Sequence, residues 1–169
     1  MDYFCLQLSK NVVNPLVPEV LFTDKNARKY EDFSDVVVGQ YVNDRLLEKT
    51  DIIMKPIIMI SQEMLMDIKK YQDDLISKPA QFFSQDAQKI PVLYFLVNPA
   101  KANCLHKDAV IDPNGVVSRI ILDKEKIPDK HIFMLDGVVE SKIIISLDVA
   151  ECLLNKNYYG IGLEKIDVK

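Results

Sequence analysis

The chain has 169 residues, a formal net charge of −4 at pH 7, and 49% hydrophobic residues. This length suits one domain with a full core, and this composition excludes an intrinsically disordered chain. The longest apolar runs, 52–54 and 57–60, fall far short of the ~20 residues of a membrane-spanning helix, so we expect no membrane segment. The 21 basic residues are scattered along the chain, which argues against a nucleic-acid partner.

The N-terminus and the cysteines both favour a cytoplasmic protein. The opening MDYFCLQLSK carries an acid at Asp2 and lacks the basic-then-apolar pattern of a signal peptide. Cys5, Cys104 and Cys152 are widely spaced and include no C-x-x-C pair, which fits neither a disulfide scaffold nor a zinc ribbon. A reducing compartment is the simplest interpretation.

The N-terminal half mixes strand and helix patterns. Residues 3–8 alternate with period two and predict a strand, and 36–38 predict a buried strand end. Three apolar residues within 42–47 then fall at helical spacing. The run IIMKPIIMI at 52–60 is strand-like, and Pro56 within it predicts an edge or a bulge.

An amphipathic helix is predicted at 62–76, ended by Lys78 and Pro79, and a buried strand follows at 92–97. The apolar stripe of the helix consists of Met64, Leu65, Ile68, Tyr71 and Leu75.

Turn signals organise the C-terminal half. The DPNG sequence at 112–115 predicts a hairpin, and HIFML and KIIIS predict two more strands on either side of Asp136 and Gly137. Ser146 is placed to cap a helix, and the chain ends in a predicted strand from YGIGLEKIDV. The expected fold class is α+β, with a mostly antiparallel sheet and a few amphipathic helices.

The chain contains one internal similarity, which we call the internal echo: residues 36–49 align with 143–156 without gaps. Both segments are predicted to be a strand end, a cap and a helix, so the chain contains either a repeated strand-helix unit or two ordinary units that solve the same packing problem.

Catalytic and cofactor motifs are missing from the sequence. Only two histidines exist, and Cys104-x-His106 is the sole close pair of soft ligands, which is too few for a tetrahedral metal site. No nucleophile elbow or phosphate loop occurs, and Gly160-x-Gly162 is interpreted as a bulge in a strand. We therefore expect no enzyme activity, no metal and no cofactor.

Three acids lie around the predicted hairpin, at Asp108, Asp112 and Asp123. No spacing places two of them on one face of one element, so they are interpreted as solvated turn residues rather than a catalytic pair.

Binding to another protein is the remaining activity. The polar stripe Glu63, Asp67 and Asp74 of the predicted helix is the candidate partner-binding surface, because complementary charge speeds encounter and rejects wrong partners. The alternative is that this stripe is only the solvent face of the helix.

The order of segments resembles a bacterial family, the eleventh class of immunity proteins of polymorphic toxin systems. The resemblance is carried by MDYFCLQL, VVVGQYVNDRLLEKTDIIMKPIIMI, LYFLVNPAKANCLHKD and LDKEKIPDKHIFMLDGVVESKIIISLDVAECLLNKNYYGIGLEKI. It implies a single domain over 1–169 that binds and neutralises a cognate protein toxin without catalysis. Residues 61–89 match nothing in the family and are interpreted as a helical elaboration.

Two other functions stay open at this point. One is a scaffold or self-assembling module built on the strand-helix echo. The other is a small enzyme of unfamiliar type that uses Cys104 and His106, or the acids between 108 and 123.

Overall fold

Strands dominate the described part of this chain, and two short α-helices accompany them. The computed structural model describes residues 1–23, 26–27, 29–41, 46–85 and 90–169. In chain order the elements are β1 Tyr3–Leu8, β2 Phe22–Thr23, β3 Asn26–Ala27, β4 Val37–Tyr41, β5 Ile52–Ile53, β6 Met59–Ser61, α1 Gln62–Ile68, β7 Ile76–Ser84, β8 Val92–Asn98, β9 Lys101–Ala102, β10 Val110–Ile111, β11 Val117–Arg119, β12 Ile121–Leu122, β13 Ile132–Leu135, β14 Ile143–Ser146, α2 Leu147–Asn155 and β15 Ile161–Val168. The expected α+β class is confirmed. Within these residues, no helix has the length and apolarity needed to cross a bilayer.

The first sheet has the strand order β12-β15-β1-β14-β13-β9. Its four middle strands are antiparallel, and Tyr3 lies opposite Ser146 on one side and Ile166 on the other. The two outer strands, β12 and β9, run parallel to their neighbours. The sheet is therefore mixed, with an antiparallel centre.

The second sheet has the strand order β4-β7-β8-β6-β5, in which only β4 and β7 are parallel. Its longest strand, β7, contains Pro79. Because β4 begins to pair with β7 only at Ala80, β7 is an edge on one side at Pro79, which is where a strand tolerates proline.

Each sheet contains one strand-helix-strand unit of the same design. In the second sheet the chain runs from β6 through α1 to β7, and β8 lies between the two strands; in the first it runs from β14 through α2 to β15, and β1 lies between them. The helices start after Ser61 and Ser146. Buried residues follow three, four and seven positions after each serine: Met64, Leu65 and Ile68, and Val149, Ala150 and Leu153.

The exits of the two helices make reciprocal contacts. After α1, the Gln72 side-chain oxygen accepts a hydrogen bond from the amide of Ile132 at the start of β13 (2.9 Å). After α2, Tyr159 exchanges hydrogen bonds with Asp51, just before β5: its carbonyl accepts from the Asp51 amide (2.8 Å) and its amide donates to the Asp51 carboxylate (2.7 Å). Each unit is thus tied to the strand that precedes the other unit in the chain, β13 or β5.

The core has three clusters of buried side chains. The central one joins both helices to one face of each sheet, and it includes Ile60, Ile68, Ile132, Ile145 and Val149. The second covers the opposite face of the second sheet with residues such as Leu16, Leu21 and Phe33 from the N-terminal segment. The third covers the opposite face of the first sheet with residues such as Cys104 and Leu122.

Several sequence expectations need correction around α1. The helix ends at Ile68 instead of extending to 76, because the next residues form a turn in which Gln72 reaches across to Ile132. Residues 61–89, interpreted as a helical elaboration, supply α1 and then the nine-residue strand β7, while 86–89 lie outside the described residues.

The internal echo is also placed differently by the structure. Residues 42–45, where the first copy of the helix was predicted to begin, lie outside the described residues, and 46–49 are a turn and a bridge rather than a helix. The structural counterpart of 143–156 is 58–71, which contains the other helix; the Ser61 hydroxyl caps α1 by accepting from the Met64 amide, whereas Ser146 makes no such bond to α2.

Two smaller predictions also fail. Val36 and Val38 are exposed, so only Val37 of that strand end is buried. No bulge occurs at Gly160-x-Gly162, because Gly160 precedes β15 in a turn and Gly162 pairs in regular register with Gln7.

Candidate functional site

A cleft of about 940 Å³ opens beside the C-terminal end of β1. Three segments form most of its walls: the end of β1, the turn after β5 and the connection between β13 and β14. Its apolar lining includes Leu6, Leu8, Ile53, Met54, Val116 and Val139. Clefts of this volume with an apolar lining and a few polar groups are the usual form of binding sites in proteins.

The cleft exists because two strands of the first sheet separate. β1 pairs with β15 as far as Leu8, but it pairs with β14 only as far as Leu6, which lies opposite Ile143. Beyond that pair the two strands diverge, and the gap between Leu8 and Ser141 becomes one end of the cleft.

The main chain of Leu8 faces this gap. The Ser9 amide donates to the Gly160 carbonyl on the β15 side (2.8 Å), and neighbouring residues of an antiparallel strand direct their backbone groups to opposite sides. Leu8 therefore directs its amide and carbonyl towards Ser141, and no hydrogen bond joins the two within the residues that the structure describes.

A small charged network lies on the rim. The Glu140 carboxylate accepts a hydrogen bond from Lys55 (3.3 Å) and lies 2.8 Å from the Lys142 ammonium. The hydrogen bonds with Lys142 and then Lys55 lower the pKa of Glu140, so its carboxylate is ionised at neutral pH. Two lysines and one glutamate leave the rim with one net positive charge, although the whole chain is acidic.

The walls of the cleft are held by hydrogen bonds. The amide of Val139 donates to the Gly115 carbonyl (3.0 Å), which ties the β10–β11 turn to the β13–β14 connection. On the other side, the Glu48 carboxylate accepts from the amides of Val13 (2.8 Å) and Asn14 (3.0 Å) and fixes the N-terminal segment. The cleft is therefore largely preformed.

The three acids proposed from the sequence do not form one surface. Glu63 is exposed in the first turn of α1. Asp67 is buried, and its carboxylate accepts hydrogen bonds from Lys70 and from the Tyr158 hydroxyl (2.6 Å). These two bonds, with that of Lys70 the stronger, lower the pKa of Asp67 and give it an internal structural role.

Asp74 lies beyond the helix, where its carboxylate pairs with Lys130. The lysine hydrogen bond lowers the pKa of Asp74. The three acids would share one face only if the helix extended to residue 76, as predicted, but α1 ends at Ile68. Only Glu63 remains an exposed acid on α1.

Sequence reasoning did not identify the cleft. Its residues come from five separate segments, and none carries a motif. The sequence did contain one local indication of a surface at this place. Lys55 interrupts an otherwise apolar run, and its ammonium group must reach solvent even though the residues around it are buried.

The residues considered for catalysis do not converge. Cys104 is fully buried, and burial raises the pKa of its thiol to about 11, so the thiol is protonated at neutral pH. The Nδ1 atom of His106 accepts from the amide of Asp108 (3.2 Å). No described contact joins this ring to the Cys104 thiol.

The three acids of the hairpin region also have separate partners. Asp108 pairs with Lys169, and Asp123 pairs with Lys126 (2.8 Å). Asp112 accepts from the amides of two residues in its own turn. Among the described residues, no group of three or more His, Cys, Asp or Glu side chains is arranged to hold a metal ion.

No family model matches this chain, and no curated protein matches it.

Proposed function

We propose that this chain is an immunity-type inhibitor that binds a cognate protein toxin in the cytoplasm and neutralises it without catalysis. The observation that carries the proposal is the preformed apolar cleft with its charged rim. A few apolar anchors buried in such a cleft supply most of the binding energy of a tight protein complex.

The rim adds selectivity to this binding. Lys55 and Lys142 flank Glu140 at the mouth, so a partner must match one negative and two positive groups. Charge complementarity of this kind speeds association and rejects wrong partners. A binding role also agrees with the state of the buried thiols, which are protonated and enclosed in the core.

The identity of the partner class comes from the resemblance described above. Immunity proteins act by occupying a toxin, which requires a rigid surface rather than reacting groups. The three free cysteines support a reducing compartment, where the toxin would be met inside the producing cell.

The test is expression of the neighbouring large open reading frame in a bacterial host, with and without this protein, followed by co-purification. The proposal requires that the neighbour kills alone, and that this protein restores growth and stays bound. A harmless neighbour, or rescue without a complex, contradicts it. The variants Cys104→Ala and His106→Ala are the control for the enzyme alternative, and both are expected to protect fully.

A second candidate function, self-assembly, rests on a different surface. Val38, Phe83 and Leu93 are exposed on one face of the second sheet, and Gln81 lies beside them in the same register. This face carries no charge at these positions, which suits contact between identical copies. Molecular mass in solution decides: a dimer that Phe83→Asp dissociates favours assembly, and a monomer excludes it.

A further inference from the structure

We propose that the cleft beside β1 binds an extended segment of the partner, which carries apolar side chains and at least one carboxylate. This inference rests on the proposed function, since it names the part of the partner that the protein recognises. The segment hydrogen-bonds to the main chain of Leu8, inserts an apolar side chain between Ile53 and Val139, and places its carboxylate on Lys55.

The open main chain at Leu8 supports an extended guest. The Leu8 amide and carbonyl point into the gap where β14 no longer pairs with β1. A strand of another protein can supply the missing partners, as in recognition by strand addition. The pairing available is short, because the gap is closed at Leu6 and Ile143.

The lining of the cleft supports apolar side chains in alternate positions. Side chains of an extended segment point alternately to its two faces, so every second residue would enter the cleft. There it meets Ile53 and Met54 from the turn after β5 and Val116 from the β10–β11 hairpin. Val139 is 73% exposed in the free protein, so a guest would also cover apolar surface that water now contacts.

The charge of the rim supports a carboxylate. The Lys55 side chain is 80% exposed, and its single described ion pair is with Glu140, which Lys142 also neutralises. Lys55 can therefore turn to a new acid while Glu140 keeps its second lysine. An ammonium-carboxylate hydrogen bond is stronger than a neutral one, which makes the acid a specific requirement.

Selection from a display library of short random peptides on the purified protein tests this inference. Peptides that alternate apolar and polar residues and carry an Asp or Glu should be enriched. Lys55→Glu should weaken their binding about tenfold or more, while Lys124→Glu, an exposed lysine outside the cleft, should leave it unchanged. Absence of enrichment, or equal effects of the two variants, overturns the inference.

The main-chain contact is tested by a matched pair at Leu8. Leu8→Pro removes the amide that faces the cleft and leaves the bonds to β15, whereas Leu8→Ala keeps the amide and shortens the side chain. Binding should be lost in the proline variant and retained in part in the alanine variant. Equal binding by both variants excludes strand addition. Thermal unfolding verifies that each variant folds. If the proline variant does not fold, the Lys55→Glu variant still tests the inference.

The outcomes separate this inference from the proposed function. If the toxin is neutralised equally by the wild type and by Lys55→Glu, the function stands and the cleft inference fails. If acidic apolar peptides bind but no toxin is neutralised, the cleft inference stands and the immunity function fails. A small amphiphile found in the cleft by native mass spectrometry, displaced by no peptide, also overturns the inference.

Discussion

Gly160 is the glycine at which a single methyl group should damage the fold most. It lies in the turn between α2 and β15 with φ at +87°, a conformation that L side chains rarely adopt. A Cβ atom there would lie 2.6 Å from Cγ2 and 2.7 Å from Cβ of Thr50. Thr50 cannot move away easily, since its hydroxyl donates to the Ile52 carbonyl (2.6 Å) and its carbonyl accepts from the Tyr94 hydroxyl (2.7 Å).

The expected cost of Gly160→Ala has two parts. Left-handed backbone costs an ordinary residue about 1–2 kcal/mol. Overlap with the fixed Thr50 side chain adds about 1–3 kcal/mol, the usual cost of overpacking a core. Gly137 provides the matched control, because its φ is +77° but nothing lies within 4 Å of the position that a methyl group would take. Gly137→Ala should therefore show only the first part.

Equilibrium unfolding in urea, followed by circular dichroism, measures both variants against the wild type. The free energy of unfolding should fall by about 2–5 kcal/mol for Gly160→Ala and by about 1–2 kcal/mol for Gly137→Ala. The same fall in both variants would refute the reasoning, because it would mean that the turn before β15 does not press against Thr50.

Three further predictions concern buried polar groups and thiols. Gln72→Ala should lower the free energy of unfolding in urea by about 1–3 kcal/mol, because the buried Ile132 amide loses its acceptor; an unchanged free energy contradicts this role for Gln72. Hydrogen bonding, first from Lys70, lowers the pKa of Asp67, so its carboxylate stabilises the fold above the unfolded-state pKa of about 3.9. That contribution is lost as pH falls through the lower folded-state pKa, and the stability difference between wild type and Asp67→Asn in urea titrations should shrink as the pH is lowered below the unfolded-state pKa; a constant difference contradicts the assignment. Cys152, the half-buried cysteine, should react with a maleimide first in the native protein, and the two buried cysteines only after unfolding, as mass spectrometry of the labelled chain would show.

Elements defined by local signals were predictable from the sequence. The strand at 3–8, the hairpin around the DPNG turn, the strand at 92–98 and the helix after Ser146 all occur where periodicity and turn residues indicate them, although the Ser146 hydroxyl contacts His131 instead of capping the helix. Each depends on residues close in the chain, so their pattern survives without knowledge of the fold.

Elements that depend on distant partners were not predictable. β7 contains Pro79 and follows a helix-like pattern, and it becomes a strand because β8 pairs along most of its length and β4 along part of it. The helix before it ends early because Gln72 bonds to Ile132, sixty residues further along the chain. Neither partner can be inferred from the local sequence.

The repeated unit shows the same limit. The strand between β14 and β15 is β1, from the opposite end of the chain, whereas the strand between β6 and β7 is β8, which follows its unit directly. Segments 58–71 and 143–156 do align without gaps, but they share only three identical positions against four for 36–49 and 143–156, so sequence identity favoured the wrong pair. The cleft was missed because it forms where β1 and β14 stop pairing, and no single segment of the sequence shows where two distant strands separate.

Titration of the purified toxin with this protein tests the central claim most directly, with toxin activity and complex mass measured at each ratio. A stoichiometric inhibitor should abolish activity at the equimolar point and form a complex whose mass is the sum of the two proteins. Loss of toxin activity at a small fraction of that ratio would mean catalysis and would contradict the account, as would full toxin activity in the presence of excess protein.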